Sequence, residues 1–223
     1  VIDDWRNVLY PLGFVAKLLF GWRFLQQWIL SEKQQESVVT PGFWRTSILA
    51  NGLLCLHACF QGQSHVGIVQ ALNLVLAWRN LNLMEETRKQ WALSSVLGVI
   101  CLVFVGTCSV FWLQGHWFRI PFAPEASLES IHWFWHLVGA TGIFLFASRF
   151  WIQWWDAEMK KNSALGVTFW VFSLLGSLLS IGYFFKIGDW VNLISPLFGL
   201  IPYYRNLVLI YRKHSPVSHT GGI

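Results

Sequence analysis

Apolar runs of about twenty residues, each ended by a short polar break, follow one another along the whole chain. They predict helices over 8–30, 43–61, 65–84, 91–113, 131–156, 167–186 and 189–211. Each is close to the length needed to cross the hydrocarbon core of a bilayer, where the backbone must satisfy its own hydrogen bonds. The expected fold class is all-α: a polytopic membrane protein of seven transmembrane helices. The longest connection, 114–130, contains Pro121 and Pro124 and is expected to lie along the outer interface.

Composition supports this reading. Of 223 residues, 55% are hydrophobic and 12% charged, whereas soluble domains carry about 25% charged residues. The 15 Trp and 18 Phe suit a protein whose aromatic rings settle at headgroup level. With the N-terminus outside, twelve Lys and Arg fall at inner loops or helix ends and only three, Arg6, Arg119 and Lys186, fall outside. That bias orients the chain with its C-terminus in the cytoplasm. The start, Val1-Ile2-Asp3-Asp4, is acidic where a signal peptide would be basic. The four cysteines form no Cys-x-x-Cys and read as small apolar packing residues. No glycine-rich nucleotide loop, Gly-x-Ser-x-Gly or paired metal motif occurs, so no catalytic residue, metal or cofactor is expected. Nucleic acid is not an expected partner.

The chain also matches itself. At an offset of 126 residues, 13–84 align with 139–210 without a gap. Polar and aromatic identities stay in register: Arg23/Arg149, Gln27/Gln153, Trp28/Trp154, Glu32/Glu158, Trp44/Trp170, Ser47/Ser173, Arg79/Arg205 and Asn80/Asn206. Apolar composition alone would not align these, so the chain carries an internal duplication. Three spans per copy would invert the second, and the extra helix at 91–113 restores its orientation. The expected organisation is 3+1+3 with parallel repeats: a first three-helix repeat over 8–84, a linker with its helix and outer loop over 85–130, a second repeat over 131–212, and a cytoplasmic tail over 213–223.

The run Arg23-Phe24-x-x-Gln27-Trp28-x-x-Ser31-Glu32, then Ser37-Val38-Val39-Thr40-Pro41-x-Phe43-Trp44, resembles the lipid A biosynthesis N-terminal domain family. The second copy repeats it as Arg149-Phe150-x-x-Gln153-Trp154, Glu158, Ser163 and Phe169-Trp170, and both copies end in Arg-Asn-Leu. In that family the domain stands alone or precedes a lipid-A-disaccharide synthase glycosyltransferase, and tandem copies resemble the chlamydial arrangement. The resemblance implies a module of lipid A assembly at the bacterial inner membrane, with lipid A precursors and a cytoplasmic glycosyltransferase domain as partners beside membrane lipids. More distantly the unit is similar to PQ-loop and SWEET-type bundles, although Gln26 and Ile152 stand where the proline of the Pro-Gln pair would be. A small-molecule or lipid transporter is the competing reading.

The foremost candidate site is the repeated set Arg23, Arg149, Arg79 and Arg205, all expected near the inner helix ends. A guanidinium fork suits phosphate oxygens, and it equally suits snorkelling to headgroups. Glu32 and Glu158, expected just past the first helix of each copy, are candidates to pair with those arginines and lock each three-helix unit. Gln27, Gln153, Lys17, Asn51 and Asn73 are expected in the bundle interior, since polar groups facing lipid are costly. Lys17, Asn51 and Asn73 have no polar twin of the same kind, facing Ile143, Ser177 and Gly199 across the repeat. They either line a one-sided pocket or bond to neighbouring helices. His132 and His136, one turn apart, lack a third metal ligand and read as interfacial.

Overall fold

A computed structural model describes residues 11–115, 131–188 and 190–214. Among them the chain is all-helical: α1 (Pro11–Gln34), α2 (Pro41–Gln61), α3 (Ser64–Leu83), a short 3-10 turn (Thr87–Lys89), α4 (Leu93–Gln114), α5 (Trp133–Lys160), α6 (Val167–Ile187) and α7 (Trp190–His214). Most of the 114–130 connection and of the 213–223 tail lies outside the described residues.

Every expected helix has a counterpart, but α1 and α5 run four residues past the ends of their apolar runs. The extra turn of α1 is Ser31-Glu32-Lys33-Gln34, which contains good helix formers and no breaker. Glu32 and Glu158 therefore sit on helices rather than beyond them. Capping repeats only at the C-terminal ends of the middle helices. Thr40 accepts a hydrogen bond from Phe43 N and Pro41 opens α2, a standard N-terminal pair. The matched middle helices α2 and α6 both stop at a glycine in the left-handed region, Gly62 (φ 68°) and Gly188 (φ 72°).

Each repeat packs its own three helices in sequence, α1 on α2 on α3 and α5 on α6 on α7. The repeats then meet by exchange: α1 lies against α7, and α3 against α5. The first helix of each unit thus packs on the third helix of the other. An apolar core spans this seam, with Phe43, Trp44 and Ala77 from one repeat and Phe169, Trp170, Tyr203 and Leu207 from the other. The linker helix α4 leans on α3 and buries only Val96 and Phe111.

The two copies differ in closeness. Gly142, Gly176 and Ser180 bring α5 and α6 together, and their matched residues in the first copy are Ala16, Ala50 and Leu54. A Cβ on Gly142 would lie 3.0 Å from Ser180 N, and one on Gly176 would lie 3.1 Å from Gly142 O. Small residues allow such approach between helices. Gly142→Val should destabilise the chain by on the order of 1–3 kcal/mol, as overpacking does. Thermal unfolding in detergent micelles checks this, with the larger cost expected at Gly142 than at Ala16→Val if helix approach, and not side-chain volume alone, sets the limit.

Candidate functional site

The repeated polar residues stack along the seam in three layers with different chemistry. Glu32 and Glu158 are nine residues past Arg23 and Arg149, about 13 Å along a helix. The four arginines consequently do not form one cluster.

In the outer layer each carboxylate is held by the other repeat. Arg205 grips Glu32 through two parallel bonds, Nε to Oε1 at 2.6 Å and Nη2 to Oε2 at 2.7 Å. Arg79 grips Glu158 in the same way through Nε and through Nη2 to Oε2 at 2.9 Å. Such forked, charge-assisted pairs are the strong kind. Both lock the units to one another, where pairing within each unit was expected. Their surroundings differ. The Arg79 and Glu158 side chains are 1% and 2% exposed, against 32% and 29% for Arg205 and Glu32. Arg79 also donates to Asn82 Oδ1 and Trp91 O, and Lys161 adds a bond to Glu158. Arg205 holds the Glu32 carboxyl well below its usual range, at about 2. Burial acts to raise the Glu158 carboxyl, but the Arg79 and Lys161 hydrogen bonds outweigh it and keep it below its ordinary value.

One turn deeper, two amide pairs repeat the exchange. Gln27 donates to Asn206 Oδ1 (2.8 Å) and accepts from Asn206 Nδ2 (3.2 Å). Gln153 donates to Asn80 Oδ1 (2.6 Å) and accepts from Asn80 Nδ2 (3.1 Å). Each glutamine also bonds the strap after its own helix, Val38 O or Ala164 O. All four amides are buried, and a reciprocal pair satisfies groups that would be costly alone. Asn80 and Asn206 were missing from the sequence-derived candidates. The in-register Arg-Asn-Leu that ends both copies was their signal.

The inner layer is Arg23 and Arg149, each 3% exposed. Neither has a carboxylate within ion-pair distance among the described residues. Arg23 donates to Ser47 Oγ (2.6 Å), and Arg149 to Ser173 Oγ (3.0 Å) and Tyr203 OH (3.4 Å). The remaining support is aromatic. Arg23 lies over Phe20, Phe24, Phe43 and Phe150 at 4.7–5.2 Å, and Arg149 over Phe146 at 3.7 Å. Both guanidinium groups contact Phe24 and Phe150, so the two like charges share the same rings. Cation–π contact offsets part of the lost hydration. It supplies no opposite charge, and the Nε of each arginine has no hydrogen-bond partner among the described residues.

The other candidates divide. Asn51 is buried, Asn73 half-buried, and both border the Arg23 side chain. Lys17 is exposed on the outer face of α1 and not in the interior. Its helix position is set by Gly13, Ala16 and Arg23, which face inward, and leaves residue 17 with Phe14 and Leu18 on the opposite side. His136 meets Tyr183 OH (3.2 Å), and His132 caps α5 through Phe134 N.

The lipid A biosynthesis N-terminal domain model matches residues 12–82 and again 138–208. Among curated proteins, the lipid-A-disaccharide synthase of Chlamydia caviae is 35% identical over 222 residues, covering 94% of this chain and 35% of the relative. The synthases of Chlamydia pneumoniae and Chlamydia trachomatis are each 35% identical, covering 92% of the chain and 34% of the relative. The chain therefore spans about a third of the length of the curated relatives it matches. No solved structure matches it. These matches lend no support to the PQ-loop and SWEET likeness or to the transport reading.

The two carboxylate pairs should respond differently to removal. Glu158→Gln leaves Arg79 buried without its counter-charge and should cost about 3–5 kcal/mol, while Glu32→Gln at the half-exposed pair should cost clearly less. Because the Glu32 carboxyl is depressed from 4.5 to about 2, its contribution is complete above pH 4.5 and fades as pH falls towards 2. Melting curves of wild type and Glu32→Gln should accordingly differ by a constant amount at neutral pH and converge in acid.

Proposed function

The chain belongs to the lipid A biosynthesis N-terminal domain family, and from that membership we propose that it is the membrane module of a lipid A pathway enzyme. In this reading its seven helices cross the bacterial inner membrane with the N-terminus outside. The C-terminus then enters the cytoplasm, where a glycosyltransferase domain like that of its relatives would follow. The module anchors that enzyme and holds the phosphate of acylated glucosamine precursors through Arg23 and Arg149.

Several observations support the membrane part. α4 and α6 are long and apolar enough to cross a bilayer. The remaining helices contain more polar residues, and six of these, Gln27, Arg79, Asn80, Gln153, Glu158 and Asn206, are buried and bonded across the seam. Large apolar side chains instead cover the outside, with Leu18, Leu102, Leu113, Phe144 and Phe198 all more than two-thirds exposed. This is the inside-out distribution expected where lipid is the solvent.

The binding part rests on one contrast. Of the four repeated arginines, Arg79 and Arg205 have carboxylate partners, whereas Arg23 and Arg149 are buried together without one among the described residues. A buried cation without an anion is expensive, and an incoming phosphate oxygen would relieve two such costs at once. In this reading the glycosyltransferase chemistry belongs to a part of the whole enzyme that this chain does not span.

Extraction of the protein with the lipids of its own membrane tests this. Wild type should retain anionic phosphate-bearing lipid, and the Arg23→Ala/Arg149→Ala variant should retain at least tenfold less while keeping its helicity. Equal retention by the folded double variant would contradict the binding role. Release of the wild-type chain from membranes by alkaline carbonate would contradict the anchoring role.

A further inference from the structure

In the second repeat the space beside Arg149 is filled. Tyr203 reaches into it from α7 and lies so close over Gly199 that a Cβ there would meet the ring at 2.5 Å. Trp170, on the far side, donates to Ser37 Oγ and Leu165 O, both at 3.1 Å. The residues 126 positions earlier are Ala77 for Tyr203, Asn73 for Gly199, Asn51 for Ser177 and Trp44 for Trp170.

Ala77 does not fill the matching space. A cavity of ≈ 10 Å³ remains beside Arg23, bordered by Trp44, Asn51, Asn73, Ala77 and, across the seam, Phe150. That is room for about one oxygen atom or water. Three buried polar atoms of this lining have no hydrogen-bond partner among the described residues: Arg23 Nε, Trp44 Nε1 and Asn73 Oδ1. Two are N–H donors that require an acceptor. The third belongs to an amide that can offer either end, because its oxygen and nitrogen exchange by a flip. Asn73 and Phe150 are the half-buried members of the lining, so the way in runs along the seam between α3 and α5.

We propose that this cavity is the module's single ligand seat, taking a terminal oxygen of a phosphate borne by an acylated ligand, while Tyr203 plugs its twin. Arg23 Nε and Trp44 Nε1 donate to that oxygen, and Asn73 completes the shell. The proposal rests on the reading that the buried arginines take an anionic group, and it adds that only one of them has an open place for it. Since Arg23 is about 13 Å along α1 from the carboxylate layer, the phosphate sits between the helices and not in the headgroup plane. Duplication gave two equivalent places, and the Ala77/Tyr203 difference leaves one in use.

The whole chain in detergent micelles, titrated with phosphatidic acid and observed by native mass spectrometry, tests this. Wild type should bind one phosphatidic acid per chain, with phosphatidylcholine bound at least tenfold more weakly. Ala77→Tyr should lose that binding at least tenfold, and Tyr203→Ala should bind a second molecule. Both residues already occur at this register, which favours folding. Should Ala77→Tyr unfold, Asn73→Leu fills the same cavity from a different position and should show the same loss. Two molecules on wild type, or binding unaffected by the folded cavity-filling variants, would overturn the one-sided seat and leave the role of the arginines standing. Absence of binding to folded wild type, or binding that survives Arg23→Ala/Arg149→Ala, would overturn that role itself. Displacement of the lipid by equimolar inorganic phosphate would assign the seat to free phosphate and overturn an acylated ligand.

Discussion

The glutamine and glutamate on the first helix of each repeat are bonded by the asparagine and arginine on the third helix of the other. Gln27 with Asn206, Gln153 with Asn80, Glu32 with Arg205 and Glu158 with Arg79 form one reciprocal set. In an apolar surrounding these groups have no better alternative than each other, so the exchange fixes both the register and the partner of each helix. Neither repeat is satisfied by itself. The core of Trp44, Trp170, Phe43, Phe169 and Tyr203 is likewise shared between the two units.

The same seam then imposes a cost that the fold leaves unresolved. It buries Arg23 and Arg149 side by side, supported by serine hydroxyls and aromatic rings but, among the described residues, by no carboxylate. A scaffold that neutralises two of its four repeated arginines, with forked carboxylates a few turns away, shows that counter-charges were structurally available. Leaving the deeper pair without them concentrates two like charges in one buried place. An anionic group is the natural complement, and the membership of the lipid A biosynthesis N-terminal domain family supplies the chemical class in which to look for it.

Much of this was legible in the sequence because duplication acts as an internal comparison. The seven helices followed from apolar run length, and the in-register repetition of Arg, Gln, Glu and Arg-Asn singled out residues that the structure brings together, though not the partners they take. Three things were not legible. The ends of α1 and α5 followed helix propensity past the apolar run, which moved Glu32 and Glu158 onto the helices. Lys17 was expected inside because charge is costly in lipid, yet the inward face of α1 was already taken by Gly13, Ala16 and Arg23. The pairing across repeats depended on which helices meet, and periodicity within one unit contains nothing about that. The asymmetric pocket was half visible: Asn51 and Asn73 lacked matching twins, but the decisive difference, Ala77 against Tyr203, reads in sequence as an ordinary apolar substitution.

The proposed part of this chain in lipid A synthesis runs through its buried arginine pair. It is tested most directly in the organism that makes it, by replacing the native copy with the Arg23→Ala/Arg149→Ala form and quantifying lipid A and its precursors by mass spectrometry. The replacement should leave normal amounts of membrane-inserted protein, accumulate acylated glucosamine phosphate precursors and lose the disaccharide. An unchanged lipid A profile, with the variant present and folded in the membrane, would contradict it.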